Sequence, residues 1–117
     1  SVIYPFVMKT EHGYVMWYGC HVDKGLFEIY RSTSEDGKIW THHHGVPAFP
    51  ATRQPNDFDG RYTSTPCVLD DGDRLLLYYS ARDFGNLFGA GDGTLRHDAA
   101  GIYRHIGVAE GKPARRG

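Results

Sequence analysis

The sequence predicts an all-β protein built from antiparallel four-stranded meanders, and three observations carry that expectation. No stretch shows a convincing helical period. The composition is rich in glycine (15 residues) and in aromatics (8 Tyr, 6 Phe and 2 Trp), distributed as strand-forming runs separated by short glycine turns. The third observation is a repeat. The run PFVMKTEHGYVMWYGC from Pro5 returns 61 residues later as PCVLDDGDRLLLYYSA from Pro66, and both read proline, apolar strand, polar turn, then a second strand ending in paired aromatics.

Taken in order, strands are expected near residues 3–10, 14–21, 26–33 and 38–43, and again near 63–70, 74–81 and 101–109. Glu11-His12-Gly13, Glu35-Asp36-Gly37 and Asp71-Gly72-Asp73 supply the short polar turns that join antiparallel neighbours. The second set lacks its fourth strand. Within one domain spanning 1–117, residues 1–44 form a first unit, 45–62 a crossing loop, 63–110 a second, incomplete unit and 111–117 a mildly basic tail.

This order divides the two ends of the sheet. In an up-and-down meander, the first-to-second and third-to-fourth turns share one end, and here those are the tight ones. The other end receives Val22 to Gly25, the segment of roughly 81–100 and the crossing of roughly 44–62. Long loops on a rigid β scaffold are where binding and catalysis concentrate. A meander repeated every ~60 residues is the pattern of β-propeller blades, because one twisted sheet cannot bury both of its faces alone.

Composition excludes several function classes. A net charge of −1 gives no electrostatic reason to expect nucleic acid or an anionic membrane as partner. No signal peptide and no apolar run near about 18 residues is present, so the expectation is a cytoplasmic protein without a membrane span. Cys20 and Cys67 lie in apolar strand patterns without CxxC spacing and read as small, buried, reduced thiols.

The run FEIYRSTSEDGKIW, followed by FDGRYTSTPCVLDDGDRLLLYYSARD and GIYRHIGVAE, resembles the five-bladed β-propellers of the arabinanase, xylosidase, levansucrase and invertase superfamily of glycosidases. Pro5, Trp17, Tyr18, Ile29, Ser32, Ser34, Asp36, Gly37 and Trp40 carry the resemblance in the first unit. Pro66, Val68, Tyr78, Tyr79, Ser80, Tyr103, Arg104, Ile106, Gly107 and Ala109 carry it in the second. The resemblance implies a partial five-bladed propeller and a carbohydrate ligand that is bound and, on one reading, hydrolysed. On the other reading the chain is a non-catalytic binding or assembly module. Five blades need roughly 300 residues at ~60 each, so two blades leave sheet flanks whose pairing is expected to give a homo-oligomer, a dimer in the simplest case.

In the resembled families two catalytic acids stand at the starts of innermost strands, in forms such as D-P or E-x-P. The equivalent positions are Ile3-Tyr4-Pro5 and Ser64-Thr65-Pro66, and neither carries an acid. The remaining acids on the long-loop end are Asp57 and Asp59, the candidate catalytic pair, with Arg53, Arg61, Tyr62, Arg82 and Asp83 as candidate sugar-binding residues. Carboxylates and guanidiniums beside aromatics suit sugars, which offer hydroxyl edges and apolar ring faces. An Asx-turn with exposed ion pairs is the competing reading of the same residues.

Three further features resolve to structural roles. In THHHG, only His42 and His44 point to the same side and no third ligand is visible, so solvated histidines are expected and no metal or other cofactor. The glycines of FGNLFGAGDGTLRHD are followed by no Lys-Ser/Thr and no helix, which leaves a loop rather than a phosphate cradle. Of Trp17-Tyr18 and Tyr78-Tyr79, one member of each pair is expected to pack between units.

Overall fold

A computed structural model describes residues 2–22, 26–54, 56–83, 87–89, 95–97 and 105–111. It contains the strands β1 (Val2–Thr10), β2 (Gly13–His21), β3 (Phe27–Ser34), β4 (Thr41–His43), β5 (Tyr62–Asp70), β6 (Leu75–Arg82), β7 (Leu87–Gly89), β8 (Leu95–His97) and β9 (His105–Gly111). Among the described residues there is no helix.

Seven strands form one mixed sheet in the order β1-β2-β3-β5-β6-β9, with β4 also paired to β3. Both flanks are antiparallel, β1 to β4 on one side and β5, β6 and β9 on the other. They join through one parallel pair, Phe27 with Tyr62. Beyond that join, β5 packs against β1 as well as against β2, so the first strands of the two units lie side by side. The molecule is long and thin, 56 × 29 × 19 Å, with a radius of gyration of 16.3 Å. A compact chain of this length would have about 13 Å. Much of the sheet surface is accordingly open, and Val2, Val7, Leu69, Ile106 and Val108 are exposed.

The expected turns form where the polar residues stand, and the SEDG turn shows why. Ser34 Oγ accepts the amides of Asp36 and Gly37, while Asp36 Oδ1 accepts those of Lys38 and Ile39. Gly37 supplies the left-handed backbone (φ 79°) that the turn requires. This turn runs longer than expected, so the fourth strand is only 41–43 rather than 38–43.

The second half departs further from expectation. Residues 87–89 and 95–97, read as loop from their glycines, form a two-stranded sheet of their own. The other glycines of that loop, positions 101–104 of the last expected strand, the Val22–Gly25 connection beyond Val22 and the tail 112–117 lie outside the described residues.

The core is small: Ile29, Tyr79 and Ala81, with Trp17, Phe49, Leu77 and Ala109 packed against them. Tyr18 and Tyr79 are buried, whereas Tyr78 is exposed, as strand alternation requires. The cysteines are free, but neither is buried as its strand pattern predicts: Cys67 is exposed and Cys20 half-buried. Cys67 directly follows a bulge in β5, where an extra residue shifts the side-chain alternation, so its strand's apolar pattern misassigns its face.

Candidate functional site

Both units begin with the same irregularity. In β1 the register with β2 jumps between Ile3 and Phe6, and in β5 the register with β6 jumps between Ser64 and Cys67. Proline has no N–H to give a ladder, so Pro5 and Pro66 belong at such a bulge. The residue ahead of each proline is left-handed: Tyr4 has φ 57° and Thr65 φ 53°. A non-glycine residue pays about 1–3 kcal/mol to sit there, and a β-branched threonine is an outlier.

These two strained positions open on one cleft of about 250 Å³. Ile3, Tyr4 and Phe27 line it from the first unit, and Tyr62, Ser64, Thr65, Ser80, Ala81 and Arg82 from the second. The Phe27 and Tyr62 rings stack at 5.3 Å and 17°. Gly19 permits this placement, because a Cβ there would meet the Phe27 ring at 2.3 Å. Over the Tyr62 ring lie two guanidiniums, Arg82 at 4.7 Å and Arg61 at 5.3 Å from its centroid. No carboxylate lines the cleft among the described residues.

A larger hollow of about 690 Å³ opens at the tight-turn end, between Trp17, Val68, Leu77 and Ala109. Apolar side chains, among them Met8, Val15, Trp17, Phe49, Val68 and Leu77, make up the larger part of its lining, and its charged residues are Lys9, Glu11, Arg31, Asp70 and Glu110. The smaller cleft has the convergent polar groups and backbone strain that mark a binding site.

The crossing loop reaches the cleft through a scaffold of buried polar contacts. The amides of Thr52 and Arg53 donate to the carbonyls of Asp59 and Gly60, folding the loop back on itself. Glu28, 1% exposed, accepts the Ala51 amide at 3.0 Å and the Arg53 guanidinium at 3.0 Å. Asp59 is buried and accepts the Tyr79 hydroxyl at 2.9 Å. Burial, reinforced by the Asp59 carboxylate, pushes the Tyr79 phenol well above its usual value.

Tyr62 and Arg82 therefore line the cleft and Arg61 stands over its aromatic floor. Arg53 instead bonds Glu28, and Asp59 bonds Tyr79. Asp57 sits in a turn whose amide donates to the Gln54 carbonyl. Asp83 bonds His105 Nε2 at 3.2 Å, and that imidazole packs edge-on against Phe58 at 5.9 Å. Glu28 was not among the sequence-derived candidates, and Tyr4 and Thr65 entered only through Ile3-Tyr4-Pro5 and Ser64-Thr65-Pro66, the positions that lack an acid. A lone acid inside the apolar run LFEIY was the available signal for Glu28. Left-handed backbone at two pre-proline residues left no signal in residue type.

The histidine run makes a hydrogen-bonded chain. His42 Nδ1 lies 2.7 Å from Ser32 Oγ, which donates to the Tyr18 hydroxyl at 3.0 Å, and His44 Nε2 lies 3.0 Å from that hydroxyl. Among the described residues no group of three potential ligands is placed to hold a metal ion.

Solved structures share this fold, two of them over nearly the whole of this chain. The chain aligns over 99% of its length with 28% of a protein in a solved BT0996–RGII complex, at TM-score 0.65 and 20% identity. It aligns equally fully with 28% of a solved glycoside hydrolase, at TM-score 0.64 and 18% identity. The fold resembles a segment of a glycoside hydrolase. Over 84 residues the sequence is 29% identical to the uncharacterised protein Rv1502 of Mycobacterium tuberculosis (strain ATCC 25618 / H37Rv), covering 69% of this chain and 26% of that protein. The chain thus spans little more than a quarter of the length of these three proteins. No family model matches the sequence.

Proposed function

We propose that the chain forms two blades of a five-bladed glycosidase-type propeller and contributes binding groups, rather than the catalytic acids, to a glycan site. One observation carries this reading: Tyr4 and Thr65, the residues before the two innermost-strand prolines, are both left-handed and open on the same cleft. In the resembled families those starts hold catalytic carboxylates, whereas here they hold a phenol and an alcohol. Hydroxyls and aromatic faces bind sugars, but the carboxylates that glycoside hydrolysis uses are missing from both starts.

Asp59 and Asp57 act in this reading through the crossing loop. With Asp59 buried against Tyr79, its substitution changes the loop and the core before it changes a sugar contact. Arg53, joined to Glu28, has the same supporting role.

A glycan array probed with the protein, followed by calorimetry on any ligand found, tests the proposal. Tyr4→Ala and Thr65→Ala should each weaken binding, while Asp36→Ala and Asp71→Ala, at the tight-turn end, should leave it unchanged. Equal losses from both ends, or retention of no glycan, would overturn it.

A further inference from the structure

The repeat persists in the strand registers, so each face of one unit has a counterpart on the other. Phe6 pairs with Trp17 and Met8 with Val15 in the first unit, as Cys67 pairs with Tyr78 and Leu69 with Leu76 in the second. On the third strands, Arg31 stands opposite Trp17 and Ile29 opposite Gly19, as Val108 stands opposite Tyr78 and Ile106 opposite Ser80. Residues directly opposite one another share a face. Met8, Trp17, Ile29 and Arg31 therefore correspond to Leu69, Tyr78, Ile106 and Val108.

These corresponding faces differ in burial. Ile29 is fully buried against Tyr79 and Ala81 of the second unit, where Trp17 packs with Leu77 and Ala109. Its counterpart Ile106 is 83% exposed, and Leu69, Tyr78 and Val108 are exposed beside it. Large apolar side chains gathered on one exposed sheet face mark an interaction surface.

The chain itself shows what covers such a face. The covering surface is the opposite face of the second unit, which presents Val68, Leu77, Tyr79 and Ala109. Its counterpart in the first unit is Val7, Met16, Tyr18 and Ser32. Tyr18 and Ser32 are already engaged with each other and with His42 and His44. Val7 is exposed and Met16 half-buried, so these two offer the accessible apolar surface.

We infer that a second copy of the chain seats the Val7 and Met16 face of its first unit on the Leu69, Tyr78, Ile106 and Val108 face of this chain's second unit, continuing between copies the packing that joins the two units within one. Two different surfaces meet in this contact, so it is head-to-tail rather than two-fold. None of these six residues lines the cleft, so the contact stands or falls apart from glycan binding.

Light scattering on the whole chain at tens of micromolar tests this, with one variant blocking each face. The unaltered protein should give at least twice the 13.2 kDa of one chain. Ile106→Asp and Val7→Asp, both at exposed positions, should each fall to the mass of a single chain. An equimolar mixture of the two should return to two chains, because each variant keeps the face that the other has lost. A single-chain mass for the unaltered protein overturns the inference. Self-association that survives Val7→Asp also overturns it, since the apolar face of the second unit would then pair with itself. So does a mixture that stays at one chain while both variants keep the circular-dichroism spectrum of the parent. A second measurement needs neither aspartate. Cys67 lies on the exposed face, opposite Tyr78, and a nitroxide attached there in a Cys20→Ser background should broaden the Val7 and Met16 amides of an isotope-labelled, unaltered copy. Broadening at Ile106 and Val108 instead, or at no amide, overturns the head-to-tail match.

Discussion

Tyr4 and Thr65 stand 61 residues apart and hold the same left-handed backbone, each one residue ahead of a proline and opposite a buried tyrosine of the neighbouring strand. The strain is local, so its removal should be measurable. Thr65→Gly relieves about 1–3 kcal/mol of backbone strain and costs about 0.5–1 kcal/mol of added chain entropy. The expected outcome is a gain of about 1 kcal/mol in urea unfolding, accompanied by weaker glycan binding. A loss of stability would mean that the threonine side chain contributes more than its backbone costs.

Gly107 lies under the Tyr79 ring, where a Cβ would meet the ring at 2.4 Å and the hydroxyl at 2.6 Å. Gly107→Ala should therefore push Tyr79 off Asp59 and destabilise the protein by about 1–3 kcal/mol. Tyr79→Phe removes only the hydroxyl and leaves a buried carboxylate short of a donor, at a cost of about 1.5–3 kcal/mol. If the two changes act on the same contact, the double variant loses less than their sum in denaturation experiments.

Arg53→Ala should loosen the crossing loop. Glu28 would keep the Ala51 amide but lose its ion pair, and because the Arg53 side chain is 54% exposed the cost lies below that of a fully buried pair, at about 2 kcal/mol. Hydrogen exchange at Ala51 reads this directly. Unchanged protection there would show that the Ala51 amide and Glu28 hold the loop without the arginine.

Backbone amides of Ile39 and Lys38 hold the Asp36 carboxyl below its usual value, and bonds from Arg74 do the same for Asp71. A carboxyl depressed in the folded state stabilises the fold above its unfolded value, near 3.8, and that contribution disappears as pH falls through the depressed value. Urea midpoints should therefore drop between about pH 5 and pH 2. Asp36→Asn should flatten part of that drop, and an identical acid profile in the variant would contradict the assignment.

The exposed apolar side chains Val2, Val7, Leu69, Ile106 and Val108 lead us to expect self-association, burying more than about 1,000 Å² in total. Light scattering at tens of micromolar should give at least twice the 13.2 kDa of one chain. A stable monomer would sink this expectation.

The sequence by itself determined the strands and most of their joints. Period-two patterning, D-G turns and the 61-residue offset are local properties, and they placed β1, β2, β3, β5 and β6 together with the equivalence of Pro5 and Pro66. They also marked the crossing end, where Tyr62 and Arg82 line the cleft. Local pattern failed where a contact from elsewhere decided the outcome. Side-chain bonds lengthened the turn after Ser34 and shortened β4, and the bulge at Thr65 turned Cys67 outward. Only the tertiary structure decided that Asp59 meets Tyr79 and Arg53 meets Glu28, since such pairings span 20 and 25 residues and depend on how the crossing loop folds back. It likewise set Tyr4 and Thr65 in one cleft, because a left-handed residue is a choice of backbone that residue type does not announce, and two units meet only once β5 packs against β1.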